Sequence, residues 1–324
     1  MSESPILEIN KSVQLFIPPP DKIAGWRRSG NIVFLSDSEA LYVIDSGGPS
    51  VKKQLIRIVN NLEANDKNPV HCIHTHGHID HMAGAQTLLT EFKAEIWASE
   101  AAIPFVENQS PIYMEKEKES IIVSHRELFT APSWFVKAAM LVAIGRSKPL
   151  SSVKPIDEKS NIGTTGFHPI ELPGHHQGHF GFYNEDSGIL ISGDLIDPRH
   201  RMKPSLTSPS SDFEGMMRSM DIVLKLEPEI ILPGHGEPVN GKETVMDSIL
   251  IAKDTMQTAS DRVIEILETQ PSTLPELSRL MQRMGLGPGD VFRRMFIHSI
   301  LHHLVNIGKV NARKISRGRT EFSI

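Results

Sequence analysis

The chain of 324 residues is 39% hydrophobic, long enough to bury a substantial core as one large domain plus a small one without disulfide support. Its 34 Lys and Arg stand against 39 Asp and Glu, a net charge of -5, which argues against a protein that coats nucleic acid with its whole surface. Residues 1–10 lack a secretory signal pattern, no apolar run is long enough to span a bilayer, and the one cysteine, Cys72, has no internal disulfide partner, so a soluble cytoplasmic protein is expected.

In chain order, short apolar runs bounded by Gly, Pro, Asp or Ser read as strands at 13–17, 31–35, 40–44, 71–74, 94–98, 189–192 and 230–232. Cys72 falls inside one of them and is expected to be buried. Apolar residues at three- and four-residue spacing mark helices at 51–61 and 213–225. The mixture predicts a layered αβ architecture.

From 104 to 162 the pattern changes to a long insertion with a charged run at 115–119 and an apolar helix at 134–143. Packing on its own domain is the preferred reading of that helix, against a lid, a homodimer surface or the wall of a pocket for a greasy substrate.

Past Gly241 the pattern turns helical, with helices expected at 245–269, 274–284 and 290–306 and a closing hairpin with a basic tip at 316–319. The chain therefore divides into 1–242, which contains the insertion, and a small winged-helix-like domain, 243–324. Arg279, Arg283, Arg293, Arg294, Lys309, Arg313, Lys314, Arg317 and Arg319 give the second part a local positive excess. Such a patch suits phosphates, RNA or a phosphopantetheine group included, but it has little aromatic interleaving for stacking bases, and a solvated basic face is preferred. His298, His302 and His303 on the last helix are expected at a surface or interface.

The strongest chemical signal is Thr75-His76-Gly77-His78-Ile79-Asp80-His81, directly after an apolar strand. Alternate residues of an extended segment project to one side, so His76 and His78 can grip one metal ion. Asp80 and His81 are placed for a second. Three histidines and an aspartate so close together are hard to explain by packing. Further candidates end later apolar runs beside glycines: His175 in Leu172-Pro-Gly-His175, Asp194 in Ile191-Ser-Gly-Asp194, and His235 in Leu232-Pro-Gly-His235.

In this order the residues resemble the metallo-β-lactamase superfamily over roughly the first three quarters of the chain. The resemblance implies an αββα sandwich with two metal ions at one end of its two sheets. It implies that His76, His78 and His175 hold the first ion, that Asp80, His81 and His235 hold the second, and that Asp194 bridges them. Asp45, in Val43-Ile-Asp-Ser-Gly47, matches the family's first motif and is implied to orient the metal loop. His176 and His179 are expected to lend hydrogen-bonded support. The donor set suits Zn²⁺ and admits Fe or Mn. Two such cations bring a shared water toward a pKa of about 7, so that a bridging hydroxide can attack; Asp80 is also a candidate proton handler.

Several branches of the family are disfavoured by what stands here. The commonest secreted zinc β-lactamases carry a cysteine where Asp194 stands, flavodiiron proteins a glutamate at His78, and β-CASP nucleases a whole domain between Asp194 and His235. The remaining resemblance is to glyoxalase II-like thioesterases, lactonases and the lactamase-beta-like group with a winged C-terminal domain. The expected function is hydrolysis of a small-molecule carboxylic ester, thioester or lactone; the alternative is cleavage of single-stranded RNA. Arg199, His200 and Arg201, just past Asp194, are candidates for holding an anionic substrate group.

Overall fold

In the strand Leu41–Ile44, alternate side chains serve different layers: Leu41 and Val43 enter one apolar cluster, Tyr42 and Ile44 another. That two-sided burial is what a strand sandwiched between a helix layer and a second sheet requires. The computed structural model describes residues 6–19, 29–63, 69–107, 122–129, 149–287, 289–315 and 318–324. The charged run 115–119 and the helix expected at 134–143 lie outside them.

The first sheet orders seven strands consecutively, β1 (Ile6–Asn10), β2 (Val13–Phe16), β3 (Ile32–Ser36), β4 (Leu41–Ile44), β5 (Val70–Ile73), β6 (Glu95–Ser99) and β7 (Lys154–Ile156). Pairing is antiparallel as far as β4 and parallel from β4 to β7. Helices α1 (Lys52–Glu63), α2 (Ile79–Met82), α3 (Ala85–Phe92) and α4 (Ile103–Glu107) intervene. Leu55, Ile58 and Val59 of α1 and Leu88 of α3 pack on Phe34, Val43 and Cys72 as the outer layer.

The insertion contributes α5 (His125–Phe129). The second sheet then runs in the order β14-β13-β10-β9-β8, from β8 (His168–Glu171), β9 (Phe180–Asn184), β10 (Ile189–Gly193), β13 (Ile230–Pro233) and β14 (Val239–Asn240). Leu15, Val33, Ile44 and Ile73 of the first sheet meet Phe180, Phe182, Ile191 and Leu232 of the second between the layers. A short ribbon, β11 (Ile196–Asp197) with β12 (Lys203–Pro204), follows β10, and helices α6 (Phe213–Leu226) and α7 (Lys242–Thr269) cover the second sheet. The result is the expected αββα order.

Beyond α7 come β15 (Ser272–Thr273), α8 (Leu274–Leu280), α9 (Asp290–Asn306), β16 (Asn311–Lys314) and β17 (Thr320–Ser323). A capping box between Thr273 and Glu276 starts α8. The three strands pair as β15-β17-β16. One apolar cluster runs from Leu190 and Ile231 of the second sheet through Met256 and Val263 of α7 to Ile300 of α9 and Phe322 of β17. His298, expected at a surface or interface, is buried: its Nε2 accepts from the Ile122 amide at 3.2 Å, packing α9 on the insertion. Among the described residues no helix is long and apolar enough to cross a membrane.

Candidate metal centre

All seven proposed ligands meet at the same end of the two sheets. Thr75 to His81 leaves the end of β5, with His78 as the residue before α2 and Asp80 and His81 inside its single turn. His175 stands in the loop between β8 and β9. Asp194 and His235 follow β10 and β13, neighbouring parallel strands, and so emerge side by side. A hydrogen bond from the Gly234 amide to the Gly193 carbonyl, 2.8 Å, ties the two strand ends together.

The donors form two groups. His78 Nδ1 lies 2.9 Å from His76 Nε2 and 2.8 Å from His175 Nε2. His235 Nε2 lies 3.2 Å from Asp80 Oδ2 and 3.3 Å from His81 Nε2. Asp194 sits between them, its Oδ1 3.3 Å from His81 Nε2 and its Oδ2 3.5 Å from His175 Nε2 and 3.6 Å from His235 Nε2. Each group of three could hold one ion, with Asp194 facing both.

Hydrogen bonds behind the rings decide where their protons sit. His81 Nδ1 is 2.8 Å from Asp45 Oδ2, an acceptor only, so Nδ1 carries the proton and Nε2 faces the site. His175 Nδ1 likewise donates to the Ser205 carbonyl. Thr75 Oγ1 donates to Asp45 and accepts from His76 Nδ1 at 2.9 Å, which turns the lone pair of His76 Nε2 inward. His179 is spent differently, donating from Nδ1 to the Leu172 carbonyl at 2.7 Å and accepting the Asp194 amide at Nε2 over 3.0 Å. It positions Asp194 and has no nitrogen left for an ion. His176 Nδ1 is taken up by the Gln177 carbonyl at 3.0 Å.

The electrostatics fit cations. Burial first, then the neighbouring imidazoles, push His76 and His78 well below the usual histidine range, so they stay neutral and able to coordinate. Burial would also lower His81, but Asp194, Asp80 and Asp45 reverse this and raise it well above, the mark of negative charge gathered on one ring. Burial would raise the Asp80 and Asp194 carboxyls; the surrounding histidines hold both below the usual carboxylate range. Asp194 Oδ1 is buried with no hydrogen-bond partner among the described residues, an arrangement a bound cation would satisfy.

Several contributors carry no recognisable sequence signal. Asn31 Nδ2 donates to the carbonyls of Pro233 and Gly236, both at 2.8 Å, and so clamps the loop that carries His235. Gly30 packs so closely that a Cβ there would lie 2.4 Å from the His81 ring. Ser205 acts through its carbonyl, which accepts from His175 Nδ1. Arg199 is locked to Asp197, from Nε at 2.9 Å and from its terminal nitrogen at 2.7 Å, and its side chain rests against Gly236, next to His235. His200 and Arg201 lie beyond it and line a cleft instead of the metal donors.

A profile of the metallo-beta-lactamase superfamily matches residues 25–235, and the chain belongs to that superfamily. The Bacillus subtilis protein named probable metallo-hydrolase YqjP is 28% identical over 257 residues, 75% of this chain and 77% of its own. The hydroxyacylglutathione hydrolase GloC of Haemophilus influenzae is 24% identical over 202 residues, 62% of this chain and 82% of its own. Among solved structures, a beta-lactamase domain protein from Burkholderia ambifaria matches with a TM-score of 0.71 at 18% identity, over 98% of this chain and 94% of that one. The metallo-beta-lactamase family protein TTHA1429 from Thermus thermophilus matches at 0.70 and 18%, over 96% and 98%. At these identities the structures speak for the fold.

Proposed function

We propose that the chain is a hydrolase that carries two divalent ions and cleaves a carboxylic ester, thioester or lactone. The observation that carries this reading is the convergence of two donor groups on Asp194: His76, His78 and His175 on one side, Asp80, His81 and His235 on the other. Imidazole and carboxylate donors suit zinc, and accept iron and manganese. Ions bound there would supply Lewis acidity and a water acidic enough to yield hydroxide at neutral pH.

The chain's own residues do the rest. Asp45, Thr75 and Ser205 keep the ring protons of His81, His76 and His175 on the outer nitrogens. Asp80, the most exposed of the carboxylates at 33%, is placed to take up and release a proton at its Oδ atoms. Cys72 is fully buried in β5 and has no part in attack. The Haemophilus relative's name as a hydroxyacylglutathione hydrolase supports an acyl thioester among the candidates.

The RNA reading is less well supported. Arg293 and Arg294 pair with Asp290, Arg294 also donates to the Glu127 carbonyl, Arg313 pairs with Glu321, and Lys314 donates to the Ile122 carbonyl. Much of the basic excess is therefore engaged within the fold. The division near 242 and the winged-helix-like nature of 243–324 belong to the same proposal, supported by α8, α9 and the β16–β17 hairpin.

The test is metal content alongside turnover of simple thioesters, lactones and single-stranded RNA, before and after chelation. Two ions per chain with chelator-sensitive acyl hydrolysis are expected; metal-dependent RNA cleavage without acyl turnover would overturn the reading.

A further inference from the structure

Between the ribbon that follows Asp194 and the turn between α8 and α9 lies a cleft of about 280 Å³, lined by Arg199, His200, Arg201, Lys203, Gly285 and Gly287. Its chemistry is one-sided, with three fixed cations and a histidine among six residues. Arg199 is neutralised by Asp197. Arg201 and Lys203 have no carboxylate within ion-pair distance among the described residues. The Lys203 ammonium instead donates to the Gly285 carbonyl, bridging the two walls. Burial first, and Arg201 second, push Lys203 below the usual lysine range, the response of a cation held in a cleft beside a like charge.

The backbone is bent to make this arrangement. Arg201 and Met202, neither of them glycine, both take left-handed conformations, with φ of 60° and 58°. Consecutive residues in that region cost free energy and persist where the surroundings dictate them, commonly at ligand clamps. The cleft also adjoins the metal centre, because Arg199, its inner wall, rests on the turn that presents His235. At this size it lies at the lower edge of ligand pockets, about 300–1,000 Å³, with room for a charged group and part of the molecule that carries it.

We infer that this cleft binds a phosphate group of the substrate and so selects acyl compounds that carry a phosphate away from the scissile bond. Two cations without a counter-ion favour a dianion over a single carboxylate, and Gly285 and Gly287 supply a wall without side chains. The inference rests on the hydrolase reading for what is held there, and it gives the segment after α8 a part in substrate choice.

The experiment compares pantetheine with its 4′-phosphate, a pair that differs by one phosphate and has no carboxylic ester, thioester or lactone to cleave, so the outcome is independent of acyl turnover. Calorimetric titration into the protein as purified should show the phosphorylated compound binding at least about tenfold more tightly. In Arg201→Gln, an exposed position, and separately in Lys203→Gln, the preference should fall toward parity. Equal affinities in the unaltered protein overturn the inference. So does a preference that survives both substitutions, because the phosphate would then be held elsewhere.

Discussion

Asp45 holds His81 by a 2.8 Å hydrogen bond across 36 residues of sequence, and does so from a left-handed backbone with φ of 60°. The same carboxylate accepts the Thr75 amide at 2.9 Å and the Thr75 hydroxyl, so one side chain orients donors of both groups. Asp45→Asn keeps the shape but can offer an N–H to His81 Nδ1, moving the ring proton to the nitrogen that faces the site. Metal affinity should fall about 10–100-fold, measured by competition with a chromophoric chelator. Wild-type affinity in the variant would remove Asp45 from the design of the site.

Gly234 leaves no room for a methyl group: a Cβ would lie 2.1 Å from Asp194 Oδ1 and 2.9 Å from the His81 ring. Gly234→Ala should fold yet lose bound metal and activity together, because Asp194 must move. Metal analysis of the purified variant decides it, and full occupancy is the result that contradicts the prediction.

Burial, with His302 adding to it, lowers His298 to about 3 from an ordinary 6.5. Between those values the unfolded chain binds a proton that the folded chain does not, so stability falls as pH drops below about 6.5, by up to about 1.4 kcal/mol per unit from this group. His298→Gln can still accept the Ile122 amide but does not titrate. Urea unfolding at pH 7 and pH 5 should show the variant losing less stability than the wild type, whereas equal losses would mean that His298 titrates normally.

Glu127, buried in α5, accepts the Thr320 amide at 3.0 Å and the Ser124 amide at 3.0 Å, joining the insertion to β17. Glu127→Ala strands the buried Thr320 donor and should cost about 1–3 kcal/mol, read from the shift in chemical denaturation. A change of a few tenths would show that water replaces the carboxylate.

The donors were legible because a cluster of histidines and aspartates after apolar strands has few structural explanations, and Asp45 stood out through the family motif. The supports were not, since Asn31, Gly30 and Ser205 act through backbone contacts that have no residue signature. Strand β9 was hidden because Phe180-Gly-Phe-Tyr-Asn184 starts immediately after a glycine-rich motif, and β1 because its residues stay partly exposed at a sheet edge. The burial of His298 has no local signal, because the segment that covers it lies 176 residues earlier.

Helix α7 has 28 residues and so runs about 42 Å, with its first half on the strands behind Asp194 and His235 and its second half in the core of α8 and α9. It behaves as a shared axle: neither end can be recut without exposing apolar surface at the other. Exchange of the last third between relatives should therefore succeed only when the helix is transplanted whole, and calorimetry of the intact chain should show one melting event.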